Sequence, residues 1–423
     1  MGKTVQILYG KSTLKLQIPD GNPLRILASE GLSSSDAPDR ILRRALSNPI
    51  GSLGLDDLTK DVRKILIITN DNTRPMPSKV TIPAMIDSFH SPADQYEITI
   101  LIATGLHRPM TDEEMLEQFG SDLCGRYKIV NHIARDKDSL TSFGKLQSGN
   151  ELYLNKLVAE SDLVIAEGFI ESHFFAGFSG GRKSILPGVA GESSILANHK
   201  PENIASPMSR QSNLTDNPIH DECLEAARLS GLAFILNVAL DKEKQIIAAF
   251  AGDPVEAHLA GCRFVKDTMS VDAQPADISI TSNNGYPLDR NLYQVVKGID
   301  TASAVTKERG VIIAVARCAD GVGHERFRDL ILSCASITEL CEKMSASPSE
   351  IDKWQAQVLA KALTRHKIIL VSEGIDRKLA ERMFFIYADM IGEALDLALA
   401  EVGLDASINV LPEGPVIIPR ITQ

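Results

Sequence analysis

Along the chain, short runs of β-branched and aliphatic residues alternate with polar, glycine- and asparagine-rich stretches and then with segments of helical character. The runs fall at residues 65–69, 98–103, 163–166, 234–240, 278–281, 311–316, 368–371 and 408–411. Strand, loop, helix, strand is the order of a parallel or mixed sheet covered by helices, so the pattern predicts an α/β fold. The first twenty residues instead alternate polar and apolar positions and predict a hairpin, not a signal peptide. Helix starts are also legible. Thr111-Asp112-Glu113-Glu114 has the form of a capping box, and Ser347-Pro348-Ser349-Glu350 is expected to open a helix carrying Trp354. Residues 387–402 predict an amphipathic helix stopped by Gly403.

A chain of 423 residues exceeds a single typical core. The expected division is an N-terminal α/β unit over 1–270 and a C-terminal α/β unit over 276–406, both with mixed or parallel sheets. The active cleft is expected between them, and a last strand, about 407–423, is expected to return to the first unit. Val271-Asp272-Ala273-Gln274-Pro275 marks the break. A weak echo crosses it: ILIITNDN at 65–72 against ISITSNNG at 278–285, and TGLH at 104–107 against GVGH at 321–324. Either a duplication or the recurrence of strand-plus-turn composition accounts for that echo.

Composition narrows the function. Hydrophobic residues make up 44% and charged residues 23%, which suits a globular chain. A net charge of -11 argues against nucleic acid, though not against a small anion in a local basic site. No apolar run is long enough for a bilayer, so no membrane partner is expected. The six cysteines form no CxxC pair and read as reduced thiols of a cytoplasmic protein.

Ligands of parallel sheets sit at the carboxyl ends of strands, and four such ends carry unusual residues. Asn70-Asp71-Asn72-Thr73-Arg74-Pro75 places an acid and a base three apart; alone, this is equally a loop salt bridge. Thr104-Gly105-Leu106-His107-Arg108-Pro109 presents an imidazole, the side chain suited to proton transfer near neutrality, or simply a surface histidine. The third end, from Glu171 to Gly188, interleaves glycines with Phe174, Phe175 and Phe178 and ends on Arg182-Lys183. A glycine backbone can approach a phosphate with cations beside it. The segment lacks Walker A spacing, and a lysine among aromatics is desolvated toward a nucleophilic amine. His173 and His199 flank that lysine, and His199 taken alone would more often be structural. In the fourth end, a helix from Asn291 would put Gln294 and Lys297 on one face, able to grip a carboxylate and a hydroxyl, or merely solvated.

Taken together, DNTRP, TGLHRP, SHFFAGFSGGRKSILPG, ANH, NNGYPLDRNLYQVVKG and the Trp of DKWQ, in that order, resemble the nickel-pincer lactate racemase family, whose members act on 2-hydroxy acids. The resemblance runs from about Ile65 to Trp354. It implies nickel held by a nickel-pincer nucleotide, a pyridinium-3-thioamide-5-thiocarboxylic acid mononucleotide attached covalently through Lys183. It further implies His199 as the protein ligand of nickel, and His107 and His173 as paired acid/bases. Asp71, Asn72, Thr73 and Arg74 would cradle the nucleotide; Arg74, Gln294, Lys297 and Trp354 would bind substrate. Partners implied are a small 2-hydroxy acid and the enzymes that build and load the cofactor; oligomeric state is left open.

The implied reaction is chemically coherent. The C2–H of a 2-hydroxy acid is a poor acid, so a base takes the hydroxyl proton while hydride passes to the pyridinium, and return to the opposite face inverts the centre. One sulfur-bearing pincer and one imidazole suit nickel. Malate, 2-hydroxyglutarate, phenyllactate or an aldonic acid could serve in place of lactate. An NAD-dependent dehydrogenase is disfavoured by the missing G-x-G-x-x-G. A non-catalytic anion- or nucleotide-binding protein remains the reading of another class.

Overall fold

The computed structural model describes residues 2–29, 34, 36–241, 243–346 and 348–422. Two six-stranded sheets organise the chain. In the first, the strands run in the order Ile246–Gly252, Leu232–Leu240, Leu163–Phe169, Lys64–Asn70, Glu97–Ala103 and Lys128–Asn131. All neighbours are parallel except the first pair, whose antiparallel partner follows directly in the chain. The second sheet is parallel throughout, in the order Ile386–Ala388, Lys367–Val371, Thr306–Val315, Ala276–Ser282, Ile408–Leu411 and Leu24–Ile26. The chain is thus α/β.

Continuous apolar runs become central strands because both faces are covered. Along Lys64–Asn70, Ile65 and Ile67 enter one core while Leu66 and Ile68 enter another on the opposite face. The core containing Leu66 continues through the helices Leu292–Ala304 and Lys353–Arg365 to Ile312 and Ala314 of the second sheet. One packed layer therefore joins the two sheets, and a rearrangement of either is felt at their junction.

Both sheets reverse their strand order at a central strand. After Lys64–Asn70 the chain adds two strands on one side, then crosses to place Leu163–Phe169 on the other. Ala276–Ser282 does the same with Thr306–Val315 on one side and Ile408–Leu411 on the other. Crevices for ligands open at such switch points. The sequence echo falls on these equivalent places: ILIITN and ISITS are the two switch-point strands, and TGLH and GVGH follow their two neighbours.

Several local expectations are revised. The hairpin forms, Lys3–Tyr9 with Ser12–Ile18, but Val5, Ile7, Tyr9, Leu16 and Ile18 pack on the second sheet, and Leu24–Ile26 joins its edge. The division at 270 assigns those residues to the first unit; one apolar face of a hairpin does not say which sheet it covers. At the other end, Ile408–Leu411 lies inside the second sheet, and Ile418–Ile421 pairs with Ser270–Ala273, the expected break itself. Within 387–402, Tyr387 belongs to the edge strand Ile386–Ala388, and the helix runs Ile391–Val402 before Gly403. Trp354 does lie on a helix, but that helix starts at Lys353, after Asp352 in a left-handed conformation. Of the segment expected to open it, Ser347 lies outside the described residues. The Thr111 capping box is present, with both reciprocal hydrogen bonds. All six cysteines are free thiols. No helix among the described residues is long and apolar enough to cross a membrane.

Candidate active site

A cavity of about 320 Å³ opens between the two sheets. Asp71, Thr73, Arg74, His107, His173, Lys183, His199, Gln294, Lys297 and Trp354 all line it. Asp71, Thr73, Arg74 and His107 follow strand ends, His173 and Lys183 lie in the segment after Leu163–Phe169, and Gln294 and Lys297 on the helix after Ala276–Ser282. His199 and Trp354 come from later helical segments and meet each other across the cavity.

Asp71 ends the strand Lys64–Asn70 and is buried. Its carboxylate accepts from His107 Nδ1 at 2.6 Å and from the Thr73 backbone N–H at 3.2 Å. Burial pushes its pKa up, but the hydrogen bonds of His107 and Thr73 and the charge of Arg74 outweigh this and hold it below the ordinary value. An ionised Asp71 fixes the proton of His107 on Nδ1 and leaves Nε2 as the basic nitrogen. Asn72 departs from this group. Its amide donates to Glu114 Oε1 at 2.7 Å and lines a neighbouring smaller cavity rather than the main one.

His173 lies in a tight hairpin, Ser172–His173 against Gly177–Phe178. Its ring stacks on Phe174 at 4.9 Å and meets the edge of Phe175 at 4.6 Å, and Nδ1 accepts from the Ala176 N–H at 3.3 Å. Burial, then the charges of Lys183, Lys297 and Arg74, push its pKa well below the usual value, so the imidazole is neutral. The turn requires glycine. Gly177 has φ +79°, and a Cβ there would run into the Asn213 carbonyl.

Lys183 sits on the 3-10 turn Gly181–Ser184 with Nζ 5.9 Å from the Phe175 ring centroid. Burial lowers its pKa to about 7, with Arg182, Arg74 and Lys297 adding to the effect. A large share of this amine is therefore unprotonated at neutrality and nucleophilic. Arg182 is expected beside Lys183 as a second cation for a ligand, and it turns the other way. It is 1% exposed, donates to the carbonyls of Ala176 (2.8 Å) and Gly180 (3.2 Å), and lies 3.0 Å from His258 Nε2. Its role is to brace the glycine turn from below.

His199 follows the helix Glu192–Asn198. The ring meets Phe175 at 5.2 Å and Trp354 at 5.1 Å, and Nδ1 is buried without a hydrogen-bond partner. Burial and then Lys183 push its pKa down to about 3. From the second unit, the helix Leu292–Ala304 is capped by Asn291, whose Oδ1 accepts from the Gln294 N–H at 3.0 Å. That helix delivers Gln294 and Lys297, and burial lowers the Lys297 amine to about 8.

Further residues emerge only from the structure. Glu167, inside the strand Leu163–Phe169, is buried and accepts from the hydroxyls of Thr69, Ser78 and Thr81. A charged residue within an apolar strand run was its signal. Tyr293 stacks face to face on His324 at 3.8 Å, His324 Nδ1 lies 3.1 Å from Asp352, and Trp354 Nε1 donates to the Tyr293 hydroxyl at 3.2 Å. GVGH points to His324 only as an echo. Asp352 carries no sequence signal.

The fold and the site thus define a two-sheet α/β protein with a histidine- and lysine-lined crevice at paired switch points. Residues 9–212 match the lactate racemase N-terminal domain and residues 271–418 the lactate racemase C-terminal domain. A lactate racemase of Thermoanaerobacterium thermosaccharolyticum is 45% identical over 98% of this chain and 99% of that protein. Another, of Lactiplantibacillus plantarum, is 42% identical over the same shares. The solved lactate racemase apoprotein of T. thermosaccharolyticum superposes with a TM-score of 0.95 at 44% identity, covering 99% of this chain and 100% of that one. A Thermotoga maritima structure shares the fold alone: TM-score 0.67, 17% identity, 92% of this chain and 99% of that one. The chain belongs to the lactate racemase family. It is accordingly a racemase, an isomerase.

Proposed function

We propose that the chain racemises lactate, with His107 and His173 as the two acid/bases and a nickel-pincer nucleotide bound covalently at Lys183. The observation that carries the reading is that two histidines, a low-pKa lysine and an unpartnered buried imidazole line one cavity. Relatives named lactate racemase over nearly the whole length support the substrate.

The residues present fit the cofactor. No group of three or more His, Cys, Asp or Glu able to hold a metal occurs among the described residues. His199 offers one unprotonated imidazole with Nδ1 unpartnered, so the remaining donors for nickel must come from a bound organic group. Lys183 supplies a nucleophilic amine for a thioamide link. Thr73 and the glycine turn would meet the nucleotide, with Asp71 acting through Thr73 and His107. When bound, the group supplies the electron sink that accepts hydride from the substrate.

The protein's own part is positioning and proton transfer. Arg74 and Lys297 bind the substrate carboxylate, and Gln294 the hydroxyl. The Nε2 of His107, oriented by Asp71, takes or returns the hydroxyl proton for one enantiomer; His173 does so for the other. Phe174, Phe175 and Trp354 exclude water around the reacting carbon.

The test is the intact mass and nickel content of protein from a host that builds the cofactor, followed by chiral analysis of D- and L-lactate. A covalent adduct with near-stoichiometric nickel, both lost in Lys183→Ala, and conversion of either isomer to the mixture are expected. Loaded protein that leaves both enantiomers unchanged overturns the reading.

A further inference from the structure

Arg74 and Lys297 reach the site from opposite units, one from the loop after Lys64–Asn70 and one from the helix Leu292–Ala304. Both line the main cavity and also a smaller one of about 150 Å³ beside it. They therefore form the partition between the two. Glu171 lines the smaller cavity and not the main one, on the far side of that partition. Its Oε1 is 3.6 Å from Arg74 Nε, and the two side chains are 28% and 22% exposed. Its influence also reaches Lys297: burial and then Arg74 depress that amine, and Glu171 opposes them.

We propose that Glu171 is a specificity-determining residue, which balances the charge of the carboxylate anchor so that the site accepts 2-hydroxy monocarboxylates and rejects dicarboxylates. The inference rests on the substrate-binding role given above to Arg74 and Lys297. Arg74 and Lys297 face the fixed carboxylates of Glu171 and Asp71, so no surplus positive charge is left once one substrate carboxylate is bound. Asp71 is a second fixed carboxylate of the anchor: His107 donates to it at 2.6 Å, and the charge of Arg74 helps to hold its pKa down. A second substrate carboxylate would enter a desolvated site with no cation left to meet it and with Glu171 behind the partition repelling it. An unpaired buried charge is among the strongest discriminators a site can build. Glu171 touches no reacting atom and works through Arg74 and Lys297.

The experiment compares malate with its 4-carboxamide, malamate, which has the same size without the second charge. Each is measured on the loaded enzyme as substrate and as competitor of lactate racemisation. Wild type is expected to favour malamate over malate by about tenfold or more. Glu171→Gln is expected to bring that ratio toward one, and Glu171→Asp to retain it. A merely structural role for Glu171 would shift both ligands alike and leave their ratio unmoved. Malamate excluded as strongly as malate, or a ratio unchanged in Glu171→Gln, overturns the proposal. Failure of loaded wild type to racemise lactate sinks the proposed function instead, and calorimetric binding of the same pair then still reads the charge selectivity.

Discussion

The carboxylate of Asp71, at the end of one strand, lies 2.6 Å from Nδ1 of His107, at the end of the next. Adjacent parallel strands in register, with Asn70 opposite Ala103, put the two loops side by side. Because Asp71 is held ionised, it fixes the His107 tautomer, and in the proposed reaction it would steady the imidazolium formed when Nε2 takes a proton. Asp71→Asn should lower kcat roughly a hundredfold, with retained cofactor mass and unchanged circular dichroism. Unaltered turnover by chiral chromatography would remove Asp71 from the catalytic apparatus.

The two histidines should behave as one unit. His107→Ala and His173→Ala are each expected to lose about 100-fold or more in racemisation. The double variant should fall far short of the product of the two losses, because in the proposed two-base reaction each turnover needs both. Multiplicative losses would mean independent roles, and full activity in either single variant would dispose of the two-base arrangement.

Lys183 is a cost to the unliganded fold. Its amine, ordinarily near 10.5, is lowered to about 7 by burial. Between those values the unfolded chain binds a proton that the folded chain does not, so stability rises with pH across that window. Lys183→Met removes the penalty. The variant apoprotein should therefore be more stable at pH 7, on the order of 3 kcal/mol, with the advantage shrinking as pH approaches 10.5. Urea titrations at about pH 7 and about pH 10 read both ends of that window; an advantage independent of pH would assign it to packing.

Arg182 should prove structural. Its guanidinium holds the carbonyls of Ala176 and Gly180 from inside the protein. Lysine cannot span both with one ammonium. Arg182→Lys is expected to cost at least about 2 kcal/mol in urea unfolding and to lower the fraction of chains carrying the covalent adduct, although residue 182 does not line the main cavity. Wild-type stability and loading in that variant would contradict the bracing role.

Much of the fold and of the site is legible in the order of residues alone. The strand runs stand out because a strand buried on both faces has to be apolar throughout, as Ile65, Leu66, Ile67 and Ile68 are. Chemical residues at strand ends stand out because parallel sheets expose only those ends to ligands. Asn72 and Arg182 show the limit. Residue type and spacing make both candidates for the site, but which way a side chain turns depends on partners distant in sequence: Glu114 Oε1 for one, the Ala176 and Gly180 carbonyls and His258 for the other.

By itself, the sequence determined the α/β class, the family and the residue types that meet at the crevice, since these depend on local periodicity and short motifs. Tertiary structure alone decided that the N-terminal hairpin covers the second sheet, that Glu171 stands behind Arg74, and that Tyr293, His324 and Asp352 form a cluster beside Trp354. The reason is physical. An apolar face specifies that it must be covered but not by what, and a charge specifies that it needs a partner but not which one. Those choices are made only when distant segments pack together.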